Sequence, residues 1–208
     1  MSFAWSFRSW ASNQRSLRLM MDRWRPGPQE LAAAYGRSIP DVIAPDLRAL
    51  FCGINPSLYS GAVGHHFAGP TNRFWKSLRG ADFTDRILSA FENYELLQDG
   101  FGVTNLVNRA TRYAKEVSRA ELREGVRILD GKVKRYRPTW VAVVGVEAYR
   151  KAFAQPGAGT GLQPEALVGV RVWVLPNPSG LNTHYPLPAL IEEFRQLREA
   201  IEADEREP

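Results

Sequence analysis

The ten residues RALFCGINPS, 48–57, decide the fold. From Arg48 to Ile54 they run almost wholly apolar, as a strand covered on both faces requires. Asn55-Pro56 then closes the strand, because proline restricts the residue before it and cannot donate to a ladder. TWVAVVGV (139–146) and VGVRVWVL (168–175, ending at Pro176) have the same composition, and Phe101–Val107 is a fourth, shorter strand. Helical patterns separate them. Pro70 can open one at its first position, running through TNRFWKSLRG. A second covers roughly 84–97. Ser118 and Glu121 form a capping box for a third, which reaches about Tyr136 and stops at Pro138. Residues 146–153 form a fourth, and a Gly/Pro loop follows at 155–164. The last spans 188–203, with Leu190, Ile191, Phe194, Leu197 and Ile201 inward. Strands alternating with helices predict an α/β fold: a three-layer α/β/α sandwich with a mostly parallel central sheet.

The 208 residues suit one domain with an appendage. A basic N-terminal arm is expected over 1–37, with six Arg against two acids, and the globular domain over 38–208. No apolar run is long enough to span a bilayer, and 1–37 lacks the apolar core of a secretory signal. A single cysteine, Cys52, rules out an internal disulfide and any four-cysteine metal or cluster site. It fits a reducing interior, so a cytoplasmic, nucleoid-associated location is expected. The net charge of +5 is uneven: residues 192–208 hold seven acids and three bases, and 104–137 hold ten bases and four acids. A basic body suits a polyanion. A solvated helix face would look the same.

In a parallel sheet, ligands bind beyond the carboxyl ends of the strands. Three segments fall there: Asn55-Pro56, Thr104-Asn105 and Asn177-Pro178. In GINPS, the Asn55 amide can orient a water or hold a carbonyl, although Asn-Pro is also an ordinary turn. GHHFAGPTNRFW, 64–75, sets His65, His66 and Phe67 in a glycine-rich loop. Phe67 can stack on an extruded base or pack in the core. Adjacent histidines diverge in an extended loop, so no metal site is expected. LPNPSGLN, 175–182, places Leu181 on a small-residue loop, where it can wedge into a base stack or cover the core edge.

Together GINPS, GPTNRFWKSL and NPSGLN resemble the mismatch-specific uracil/thymine-DNA glycosylase family of the uracil-DNA glycosylase superfamily, from about Pro40 to Ala200. GVTNLVNR and VAVVGVEAYRKAF look similar to that family too. The resemblance implies a DNA-repair enzyme of base excision that flips a mismatched base and hydrolyses its N-glycosidic bond. It assigns Asn55 to positioning the attacking water. It puts Phe67 on the flipped base, Ile54 in the pocket wall and His66 at a pocket position. The loop Asn177, Ser179, Gly180 would grip the DNA backbone, and Leu181 would be the wedge. Two departures stand out: Ser57 where the family often has Gly, and Thr183 where an Arg is common.

The expected reaction is monofunctional, since no Lys lies in GINPS, GHHFAGPTNRFW or LPNPSGLN to form a Schiff base. It needs no cofactor and no metal. The expected partner is double-stranded DNA carrying U·G or related mismatches, bound by a monomer. Arg109, Arg112 and Lys115 follow the second strand and are expected to meet phosphates. An amide cannot take a proton from water, so Asp99, just before that strand, is a candidate second catalytic group. It is equally a turn residue before Gly100. Two alternatives compete. One is a broader uracil-DNA glycosylase acting also on single strands. The other is a damage-binding protein without activity, against which Asn55 and Phe67 argue. Nucleotide-binding motifs of the GxxxxGK[ST] or GxGxxG type are absent from the sequence.

Overall fold

A computed structural model describes residues 25–206. Five strands form one sheet: β1 (Ala49–Gly53), β2 (Phe101–Asn105), β3 (Trp140–Val144), β4 (Gly161–Leu162) and β5 (Arg171–Leu175). Their order is β2-β1-β3-β5-β4, and only β4 runs antiparallel. The chain leaves β1 for one side to make β2, then crosses back to the other to make β3. The crevice opened by this reversal lies at the carboxyl ends of β1 and β3.

The helices are α1 (Pro28–Ala33), α2 (Leu58–Val63), α3 (Phe74–Gly80), α4 (Arg119–Tyr136), α5 (Val146–Ala152) and α6 (Leu187–Arg206). Alternation along β1 shows the layering. Ala49 and Phe51 enter one core with Phe74, Leu78, Phe194 and Leu197 from α3 and α6. Leu50 and Cys52 enter the other with Leu122, Leu129, Val133 and Tyr149 from α4 and α5. Phe51 sits edge-on to Phe74 and Phe83, with both centroids at 5.5 Å, and this aromatic cluster fixes α3 and α6 against the sheet. Three layers around a mostly parallel sheet is the architecture expected.

Several boundaries differ, each for a local reason. The first helix after Pro70 begins at Phe74, not at the proline. Asn72 Oδ1 accepts from Phe74 N at 2.9 Å, and Arg73 N is drawn to Pro178 O at 3.0 Å, so 70–73 serve as a turn. The 84–97 stretch is a 3₁₀ helix over Ala90–Asp99 behind Ser89. Helix α2 and strand β4 have no counterpart in the sequence reading. Strand β5 starts at Arg171 because Val168 and Gly169 turn with positive φ. The domain boundary expected at residue 37 falls inside the packed body: Ala34 is buried, and Gly36 N and Ala110 N bond to Ala110 O and Arg37 O. Residues 1–24 of the expected arm lie outside the described residues.

Candidate active site

The carboxyl ends of β1, β2, β3 and β5 open into a cleft of about 930 Å³. Its walls include Ile54, Asn55, His66, Phe67, Asn105, Gly145 and Asn177. Residues from four separate strand ends therefore share one space, and each is placed there by the strand before it.

Asn55 leaves β1 with its amide direction chemically determined. Nδ2 donates to Pro56 O at 3.1 Å, Arg109 O at 3.0 Å and Thr111 Oγ1 at 2.8 Å. The two carbonyls can only accept. The Thr111 hydroxyl already donates to Tyr113 O at 2.9 Å, so it must accept from Asn55. Only the NH₂ group can face these three atoms. Among the described residues no donor occupies Oδ1, which is left as a fixed acceptor beside the cleft. Ser57 has a local role of its own, accepting from Ser60 N to cap α2.

Phe67 lies flat against Phe74, with centroids 3.9 Å apart and planes 19° apart, and its φ of 52° turns the loop to set it there. One ring face is thus supported from below. Gly53 makes the approach possible: a Cβ at this position would stand 2.5 Å from Asn105 Oδ1 and 3.2 Å from Phe67 Cζ. His66 and His65 diverge, as adjacent loop residues should. His65 meets Phe91 edge-on at 4.9 Å. His66 turns inward, 1% exposed, and bonds Pro40 O through Nε2 at 2.9 Å and Asn105 Nδ2 through Nδ1 at 3.3 Å. Burial pushes the His66 imidazole down to about 4, so it is neutral at physiological pH.

The loop after β5 is organised by its own polar groups. Asn177 Oδ1 accepts from Ser179 N at 2.9 Å, and Asn182 Nδ2 donates to Asn177 O at 2.8 Å. Arg73 sits beneath, its guanidinium donating to Tyr185 O at 2.5 Å, Ser179 O at 2.7 Å, Asn182 O at 2.9 Å and Pro178 O at 3.3 Å. Gly180 rests on Thr71, where a Cβ would come within 2.6 Å of Thr71 Cβ. Leu181 crowns the loop at 81% exposure. A leucine so exposed on a loop so braced covers no core edge.

The structure does not bring every expected residue to the cleft. Asp99 ends the 3₁₀ helix ahead of β2, at the amino edge of the sheet, with Arg48 and Asp85 nearby. Asn55 lies past the carboxyl edge. At ~3.3 Å per strand residue the two are on the order of 20 Å apart, and the expected catalytic role of Asp99 is corrected to that of a turn residue before Gly100. Arg109 is held by Glu121 at 2.5 and 3.1 Å. That pairing, with the Ser118 bonds, brings Glu121 down to about 2. Arg112 and Lys115 are exposed on the cleft rim. Cys52 is buried in β1, its thiol pushed up to about 12 by burial, so it is no nucleophile. Among the described residues no three His, Cys, Asp or Glu side chains are grouped to hold a metal ion.

Two residues were missed as site residues. Asn105 lines the cleft at the end of β2, and its position at a strand end was the available signal. Arg73 had none, since an arginine near a helix start looks like any surface cation.

Residues 40–202 match the family model of the uracil DNA glycosylase superfamily. The chain belongs to this superfamily. The fold of this uracil DNA glycosylase superfamily member is similar to the solution structure of a candidate uracil DNA glycosylase from Methanosarcina acetivorans. The TM-score is 0.53 at 19% sequence identity, over 78% of this chain and 98% of the other.

Proposed function

We propose that this superfamily member hydrolyses the N-glycosidic bond of uracil extruded from duplex DNA, with U·G mismatches as its substrates. One observation carries the reading. A fixed amide acceptor at Asn55, a ring supported from below at Phe67 and a buried amide at Asn105 meet in one cleft, under an exposed Leu181. A flipped base lying on Phe67 presents its Watson–Crick edge to Asn105, while Leu181 fills the stack it has left. Arg112 and Lys115 flank the strand, and the loop of Asn177, Ser179 and Gly180 meets its backbone. Arg73 lends that loop a positive charge through four carbonyls.

The chemistry follows from what the cleft holds. The C1′–N1 bond breaks with its electron pair going to the base, leaving an oxocarbenium-like sugar. Asn105 N–H can donate to the base oxygen as negative charge develops. A water donating to Asn55 Oδ1 is aimed at C1′, and it adds its oxygen there as its proton leaves to solvent. So electrophilic a carbon needs a positioned water more than a strong base. Among the described residues the one carboxylate on the cleft wall, Glu147, is paired with Arg150 at 2.6 Å. The test is release of free base from duplexes with U·G, U·A and T·G and from single-stranded U. Faster release from U·G than from every other substrate is expected. Equal rates on single strands would favour the broader enzyme, and no release from any would end the reading.

A further inference from the structure

We propose that His66 is a positioning residue: it fixes which way the Asn105 amide faces and so makes the pocket accept uracil and refuse cytosine. The inference rests on the uracil-releasing function proposed above. It starts from Pro40, whose carbonyl can only accept. The 2.9 Å contact therefore places the His66 ring proton on Nε2 and leaves Nδ1 with a bare lone pair. That lone pair faces Asn105 Nδ2 at 3.3 Å, so Nδ2 must donate to it. Turning the Asn105 amide over would set its oxygen against the Nδ1 lone pair. The amide is held one way round, with Oδ1 over Gly53 and beside the edge of Phe67.

This orientation matches one base edge. Uracil offers N3–H to an acceptor and O4 to a donor. Asn105 supplies Oδ1 and the second Nδ2 hydrogen. Cytosine offers the reverse at both places, an N3 lone pair and an N4 amino group. A freely turning amide could satisfy either base, because its two ends look alike in shape. Discrimination thus depends on the neighbour that forbids the turn.

The neighbour is itself held. Ile39 is clamped by Asn108, its N–H donating to Oδ1 at 3.0 Å and its carbonyl accepting from Nδ2 at 2.8 Å. Asp41 accepts from Thr104 Oγ1 at 2.7 Å and pairs with Lys132 at 2.6 Å. Pro40 lies between these two anchors, so its carbonyl cannot move away from His66. Thr104 directly precedes Asn105 on β2, and the brace and the reading amide share one strand.

Two substitutions separate the two ends of the ring. In His66→Asn, a side-chain oxygen can stand near the Nδ1 position and keep accepting from Asn105. In His66→Gln, the amide can still reach Pro40, but the acceptor for Asn105 is lost. Single-turnover release of uracil and of cytosine is measured in one duplex context with the full chain. The ratio of uracil to cytosine release should fall ~10-fold or more in His66→Gln and stay near wild type in His66→Asn. An unchanged ratio in His66→Gln overturns the proposal, as does an equal fall in both variants, which a packing defect would give. The ¹⁵N shifts of the His66 ring in the wild-type protein test it without activity: an Nδ1–H tautomer overturns it, and Nε2–H supports it. If the wild type releases no uracil, the function fails and the tautomer alone decides whether the amide is locked.

Discussion

Replacing Asn55 with alanine separates the loop it holds from the water it is proposed to aim. Its two amide hydrogens serve Pro56 O, Arg109 O and Thr111 Oγ1. Their loss costs ~1–3 kcal/mol of stability, at about 1 kcal/mol net per bond. A domain with ordinary reserves stays folded at 25 °C. The catalytic cost is separate. In the proposed reaction Oδ1 is the fixed acceptor for the water, and removing one such preorganised group lowers the chemical step by ~10²–10³-fold. Thr111→Val is the matched control, because it removes the hydroxyl from the same brace yet leaves Asn55 both carbonyl acceptors. The assay is single-turnover release of uracil from a U·G duplex, with DNA affinity measured alongside. Asn55→Ala should bind as tightly as wild type and cleave ~10²–10³-fold more slowly, while Thr111→Val loses far less. Wild-type rates in Asn55→Ala would refute the water-positioning role. Equal losses in both variants would show that the brace, and not the amide oxygen, matters.

Leu181→Ala should slow release from duplexes more than from single strands, and change stability by less than ~0.5 kcal/mol, because so exposed a side chain has little packing to lose. Equal losses on both substrates would remove its wedge role. Neutralising Arg112 and Lys115 together should flatten the dependence of log affinity on log salt by ~1–2, at about 0.9 for each phosphate left without its cation. Arg109 is left out because Glu121 already takes its charge, and an unchanged slope would mark the rim as merely solvated. Acid should weaken the fold through His66, held at about 4 against an ordinary 6.5. Burial dominates, with Asp41 pulling the value up and Lys132 and His65 pushing it down. Between those values the unfolded chain binds a proton that the folded chain refuses, so stability is full above ~6.5 and falls by ~3 kcal/mol as pH drops to 4. Urea titrations across this range should show a shallower loss in His66→Gln, and parallel losses would clear His66 of the effect.

The sheet was legible because four apolar runs each end at a polar or proline punctuation. That is the signature of strands buried on both faces, and it put Asn55, Asn105 and Asn177 on one edge from the order of residues alone. Short elements were not legible. Strand β4 has two residues, too few for any periodicity, and it exists because β5 offers an edge. Helix α2 has six residues, and its LYSGAV sequence holds a glycine that reads as a loop. Asp99 misled for a different reason. Chemistry favours a carboxylate near the reacting carbon, but β2 follows Asp99, so Asp99 lies at the amino end of the strand and away from the cleft. Asn105 and Arg73 show what pattern cannot supply. Their roles depend on partners 39 residues away, at His66, and 105 to 112 residues away, on the Pro178–Tyr185 loop.

Both working side chains of the proposed site are amides, and an amide has no direction of its own. Its two ends differ only in donating or accepting, so each must be set by neighbours whose hydrogen-bonding sign is beyond doubt. For Asn55 these are two carbonyls and a hydroxyl whose proton is already committed. For Asn105 the neighbour is an imidazole whose proton is committed to Pro40. In both cases the series of bonds ends at a backbone carbonyl, a group that never titrates and cannot reverse. A pocket made this way keeps its donor and acceptor pattern until His66 takes a proton. Chemistry and base reading thereby share one design, in which fixed backbone groups orient neutral side chains. A site of this design needs no carboxylate of the kind expected at Asp99.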